Sequence, residues 1–197
     1  MNTSSTNRIP ARQAACIGLL VVIGCLGSRP AYGDQHAPEL SALFAALGSA
    51  ANSAAAHVVE QEIWALWFNA PAVPAASLFE RGRKAVEAGD LQEGITLFDQ
   101  LTREFPDFAE GWNQRAIVHF LLDDMDGALA DVAKTLALEP RHFGALSGRG
   151  QCYLRLERPR EALTAFDATL QIDPWLDTVA QQATMLRAYV ERQPTPI

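Results

Sequence analysis

Residues 143–176 read FGALSGRGQCYLRLERPREALTAFDATLQIDPWL, and this stretch decides the fold. Its apolar positions fit two amphipathic helices joined by a tight turn. Pro159 looks like a breaker, yet it falls at the turn. There the first residue of a helix has no intrahelical N–H bond to lose. Pro174 then ends the second helix and redirects the chain.

Working outward, residues 109–142 and 75–108 repeat the pattern with no gap, each 34 residues long. Six columns agree in register. Pro106, Pro140 and Pro174 form one, and Arg81, Arg115 and Arg149 another. The arginines are followed by the small residues Gly82, Ala116 and Gly150, and a second small series is Gly94, Ala128 and Ala162. Phe98, Val132 and Phe166 are bulky, as are Leu78, Trp112 and Leu146. Small residues let the two helices of a pair approach closely, and large apolar ones fill the space around them. In the first unit, Phe79–Ala88 precedes Gly89 and Asp90, and Leu91–Arg103 follows. Gly89 suits a left-handed helix end, and Asp90 caps the next helix.

These segments resemble the tetratricopeptide repeat, whose pattern is W-x2-L-G-x2-Y, then A-x3-F, then P. Trp112, Ala116, Ala128 and Pro140 carry it in the second unit, and Gly150, Tyr153, Ala162, Phe166 and Pro174 in the third. The first unit is weaker, with Gly82, Phe98 and Pro106 matching but Ala85 and Gly94 departing. Arg replaces the pattern's Leu in all three; a long Arg lays its stem on the core and keeps its head wet. The resemblance implies an all-α fold: an α-solenoid of three tetratricopeptide-type helix-turn-helix repeats (75–108, 109–142, 143–176).

The flanks read as helical. Trp175–Gln193 spaces Leu176, Val179, Ala183, Leu186 and Val190 by three and four, as a capping helix does, and with the tail it makes up the segment after the repeats, 177–197. Residues 34–74 are expected to form an N-terminal helical hairpin, Pro38–Leu47 and Ser53–Phe68, followed by a linker over Asn69–Ala76. Phe44, Leu47, Gly48 and Trp64 each lie 34 residues before Leu78, Arg81, Gly82 and Phe98, which suggests a degenerate pseudo-repeat. Residues 34–37 are expected to lack fixed structure.

Residues 1–33 differ from the rest. Arg8 and Arg12 open the chain with no acidic residue before Asp34, an apolar run spans Ala14–Leu26, and Ala31-Tyr32-Gly33 places small residues at a peptidase site. That is the layout of a signal peptide. The 13 apolar residues fall short of the ~20 that a membrane span needs. Two further readings stay open: an uncleaved anchor, and lipidation at Cys25, since Val22-Ile23-Gly24-Cys25 resembles a lipobox. The expected protein is exported and periplasmic, or lipid-anchored to a bacterial membrane. Without the leader the chain has 13 basic and 23 acidic residues, a net charge of −10. That balance disfavours nucleic acid and anionic lipid as partners. Cys152 would remain alone, so no intramolecular disulfide is expected.

No catalytic constellation, metal site or cofactor is expected. His36, His57, His119 and His142 share no metal-ligand spacing, and His119 falls in the Tyr column at the core edge. Gly148-Arg149-Gly150 is a lone G-x-G inside a helix, accounted for by close helix packing. Cys152 reads as a buried structural thiol. The run Asp123-Asp124-Met125-Asp126 sits at a turn, where carboxylates cap helix N–H groups. The resemblance instead implies recognition of another protein. First helices of such repeats line a concave groove that holds an extended peptide or a helix. By position the groove shows Phe79, Arg83, Asn113, Gln114, Ile117, Phe120, Ser147, Gln151, Leu154 and Arg155. Some relatives clamp a chaperone's C-terminal carboxylate with Lys, Asn and Arg; the matching positions here are Phe79, Arg83, Gln114, Gly144 and Gly148, so that clamp is missing. The alternative reading is a self-associating accessory subunit without a separate groove.

Overall fold

The computed structural model describes Gln35 and residues 37–192, and among these the chain forms nine α-helices and no strand. The leader expected over 1–33, with Cys25, lies outside the described residues. The helices are α1 (Pro38–Gly48), α2 (Ser53–Phe68), α3 (Val73–Glu87), α4 (Leu91–Glu104), α5 (Ala109–Leu121), α6 (Met125–Leu138), α7 (Phe143–Arg155), α8 (Pro159–Ile172) and α9 (Asp177–Glu191). The chain is an all-helical solenoid: α3–α4, α5–α6 and α7–α8 pack as antiparallel pairs, each stacks on the next, and α9 closes the array on α8.

The repeat columns land where the pairs touch. A Cβ on Gly82 would sit 2.7 Å from the Phe98 ring, and one on Gly150 would run into Phe166. Phe98, Val132 and Phe166 are buried accordingly. The turns also repeat: Gly89 (φ 80°), Asp123 (φ 64°) and Glu157 (φ 56°) occupy one structural position in the left-handed region. Asp90 and Asp124 then cap α4 and α6, accepting from the N–H of Glu93 and Gly127 at 3.0 Å each. The Gly127 N–H holds the Asp124 carboxyl below its ordinary range. Arg115 exceeds the role read from sequence. Its guanidinium grips Asp131 through two 2.7 Å bonds and reaches Asp99 at 2.7 Å and Thr102 at 3.0 Å, tying α4, α5 and α6 together. Arg81 only meets Glu93 at the surface, 3.6 Å away.

The N-terminal region departs from expectation in three ways. The linker is shorter than Asn69–Ala76, because α3 already begins at Val73, with Pro74 in its first turn where a proline costs no hydrogen bond. Gln35 and Ala37 are buried, and the Gln35 amide donates to the Asp107 carbonyl at 2.6 Å, so these two residues are held. The hairpin does not stack before α3 as a pseudo-repeat. Instead α2 lies across the first helices of the repeats, packing on α5 and on the start of α7. At the other end α9 starts at Asp177, not Trp175, because the Trp175 indole turns back to donate to the Leu47 carbonyl at 3.2 Å.

Candidate functional site

The helices α3, α5 and α7 lie side by side and form the inner wall of the solenoid. The hairpin occupies part of that wall. Trp67 stacks on His142, with ring centroids 4.1 Å apart and planes within 9°. Trp64 meets Phe143 edge-on at 5.2 Å, and the Arg141 guanidinium lies 4.4 Å from the Phe44 ring. Leu40, Leu47, Ala56 and Ile63 give the hairpin a buried core shared with Phe143. An aromatic helix with an apolar stripe therefore fills the end of the groove formed by the N-termini of α5 and α7.

Beneath it is a buried polar network. His142 Nδ1 accepts the N–H of Ala145, so the ring proton sits on Nε2 and is donated to Glu110 Oε2 at 2.8 Å. Glu110 also accepts from Asn113 Nδ2 at 3.1 Å and Gln114 Nε2 at 2.7 Å. One further contact joins the hairpin to the array. Asp173, fully buried, accepts the Trp175 N–H at 3.0 Å through one oxygen. The other oxygen has no donor. Burial, reinforced by the Glu60 carboxylate of α2, pushes the Asp173 carboxyl up to about 6.

The remaining part of the wall is open. A cavity of about 250 Å³ lies between α5 and α7, lined by Trp64, Asn113, Ile117, Phe120, Gly148 and Gln151, among others. Four groove residues read from the sequence (Asn113, Ile117, Phe120 and Gln151) meet there, and Trp64 adds a wall that no repeat column signalled. The others are elsewhere. Phe79 is buried among Phe68, Phe98 and Phe108, because at the start of the array the hairpin's last ring covers it. Gln114 is committed to Glu110. Leu154 packs toward Ala162 and Phe166, where α9 has closed the array. Arg83 pairs with Glu87 at 3.0 Å, and Arg155 with Asp123 at 3.1 Å while lying 5.5 Å from the Phe120 ring. Ser147 is half-buried on α7. Cys152 also borders the cavity; burial pushes its thiol up to about 11, which keeps it protonated and unreactive. Among the described residues no three His, Cys, Asp or Glu side chains gather as a metal site would require. His119 lies 2.7 Å from the Asp124 carboxylate.

With helix pairs, a 34-residue period and an inner groove in place, comparison with known families decides the assignment. The profile of the tetratricopeptide repeat matches residues 79–137 and 126–174. Residues 79–174 form tetratricopeptide repeats. A TPR repeat-containing protein of Rhizobium etli is 29% identical over 148 residues, 75% of this chain and 72% of that protein. The SGT1 homolog of Bos taurus is 31% identical over 96 residues, 49% of this chain but only 28% of its own length. Among solved structures, the first TPR of Spaghetti (RPAP3) bound to an HSP90 peptide superposes with a TM-score of 0.58 at 22% identity, covering 60% of this chain and 94% of that one. The TPR2B domain of yeast Sti1 in complex with an Hsp70 peptide gives 0.56 at 17% identity, covering 60% and 99%. These likenesses show the fold. In this chain the α1–α2 hairpin lies across the inner wall of the tetratricopeptide array.

Proposed function

We propose that this chain is a protein-interaction scaffold that binds a segment of another polypeptide in the part of the inner groove its hairpin leaves free. The observation that carries the reading is the cavity between α5 and α7, where Asn113, Ile117, Phe120 and Gln151 converge. Its wall is apolar, with amide groups at the edge, which suits an apolar anchor flanked by peptide backbone. Peptide-bound structures of the same fold support the general mode. The ligand class differs from a C-terminal carboxylate, since Phe79, Gln114, Gly144 and Gly148 supply no charge at the clamp positions and Arg83 is paired with Glu87. The leader over 1–33 supports a place in the cell envelope, free or anchored through Cys25.

Crosslinking in intact cells, with capture on wild type and on Ile117→Asp and Gln151→Ala variants, tests the binding role. A partner held by wild type and lost by both variants is expected. Retention of the same partner by both variants would overturn the groove as the site. Mass spectrometry of the mature N-terminus tests location: Asp34 or a lipid-bearing Cys25 is expected, and a cytoplasmic chain starting at Met1 contradicts export.

A further inference from the structure

The inner face of α7 carries two glycines one turn apart, Gly144 and Gly148. Glycine inside a helix costs about 1 kcal/mol relative to alanine, so each needs a reason. For Gly144 the reason is visible: a Cβ there would lie 2.6 Å from the Trp64 ring, which the hairpin lays against it. Gly150, on the opposite side, is required by Phe166. For Gly148 nothing lies within 4 Å of where a Cβ would be. The packing expected from the sequence thus holds for Gly150 and fails for Gly148. What lies over Gly148 is the cavity itself.

Size and chemistry narrow the occupant. An apolar cavity of about 150 Å³ already takes benzene, whereas sites for whole small molecules start near 300 Å³. At about 250 Å³ the space over Gly148 matches one large side chain. Trp64, Ile117, Phe120 and Cys152 supply apolar walls. The amide nitrogen of Asn113 is committed to Glu110 and that of Gln151 to Gln182, at 2.9 Å for the latter. Asn113, with its amide nitrogen bonded to both Glu110 oxygens, offers a visitor its carbonyl oxygen, and Gln151 keeps its carbonyl oxygen and a second N–H. Carbonyl acceptors with one remaining N–H suit the alternating N–H and C=O groups of a peptide backbone. The cavity also continues an interface already in use, because Trp64 belongs both to the hairpin's seat and to the cavity wall.

Building on the groove reading above, we infer that the space over Gly148 is an anchor pocket for a single large apolar side chain, such as Phe, Leu or Met, of a partner polypeptide. The anchor sits one helical turn along α7 from the place that Trp64 fills from within the chain. Gly148 keeps the pocket open, and Trp64 forms the wall that sets its size.

Indole is the direct probe, added to the 15N-labelled full chain and followed by amide shifts. Shifts centred on Gly148, Gln151 and the Trp64 indole N–H are expected, retained in Gly148→Ala and abolished in Gly148→Leu. Absence of such shifts in wild type, or their survival in Gly148→Leu, overturns the pocket. Because the site is open, Gly148→Leu should melt no lower than wild type; a lower melting point shows that the side chain met atoms of the fold and contradicts the assignment. A displayed random peptide library selected on wild type supplies the second arm. Selected peptides should share one large apolar residue and bind Gly148→Leu about tenfold or more weakly, the loss expected when one buried side chain is excluded. Peptides that ignore Gly148→Leu but are lost with Gln151→Ala and Ile117→Asp overturn the pocket and leave the groove reading intact. Peptides indifferent to all three overturn both.

Discussion

Replacing Asp173 by Asn should make the protein more stable at neutral pH and remove part of its pH dependence. Asp173 is buried where the hairpin meets the end of the third repeat, beside the Glu60 carboxylate. Its carboxyl titrates near 6 in the folded chain against 3.8 for the ordinary group. A group whose folded pKa is raised stabilises the fold fully below its unfolded pKa, and that contribution is lost as pH rises through the folded pKa. The loss therefore falls between about pH 4 and pH 6. Two pH units at 1.36 kcal/mol each give up to about 3 kcal/mol. Asn keeps the oxygen that accepts the Trp175 N–H and presents an amide donor to Glu60 in place of a second negative charge. Urea unfolding of wild type and Asp173→Asn, followed by tryptophan fluorescence from pH 4 to 8, isolates the effect in the difference between the two curves. That difference should be small near pH 4 and reach about 1–3 kcal/mol in favour of Asn above pH 6.5. A difference that stays constant across the range would refute the argument, since it would mean the Asp173 proton plays no part in seating the hairpin.

Other substitutions probe other parts of the molecule. Glu157→Gly should stabilise by about 1 kcal/mol, read as a rise in the urea midpoint, because Glu157 holds a left-handed backbone at φ 56° that glycine adopts freely. Arg115→Met should cost about 3 kcal/mol by thermal melting, because it leaves the Asp131 carboxylate, 4% exposed, without its two-pronged partner. Trp67→Ala should cost about 3–5 kcal/mol and, by hydrogen exchange, deprotect α1 and α2 while the helices of the second repeat stay protected. Gly148→Ala and Gly150→Ala should move melting temperature in opposite directions, upward by the equivalent of about 1 kcal/mol for the first and downward for the second, where the new methyl meets the Phe166 ring.

The repeats were legible because each column of the 34-residue period marks a contact that recurs in space. Gly82 against Phe98 and Gly150 against Phe166 are the same contact twice, so periodicity exposed it. Turn chemistry was legible for the same reason, as Asp90 and Asp124 show. The hairpin's position was not. Trp67 finds His142, and Trp175 finds the Leu47 carbonyl 128 residues away, pairings that occur once and follow no period. Tryptophans at positions 64 and 67 announced a large apolar surface but not what would cover it. Phe79 was misread for a related reason. Its column holds groove residues in the later repeats, but the first repeat has no neighbour before it, and Phe68 closes over that position. Gly148 looked like Gly150 because a helix-packing glycine and a groove-floor glycine have the same one-letter symbol; only the space beyond the missing Cβ separates them.

The strap formed by α1 and α2 also bears on how this chain folds. A plain solenoid is quasi one-dimensional: each unit touches only its neighbours, so the array can fray from either end one repeat at a time. Here Phe68 packs on Phe79 in the first repeat while Leu47 is bonded to Trp175 at the end of the third, so one short segment joins both ends. That closure couples the terminal repeats, raises the sequence separation of native contacts, and should slow folding relative to an unstrapped array of equal length. It should also merge the repeats' separate melting steps into one transition, so that the array behaves as a loop of mutually dependent parts instead of a row of tiles.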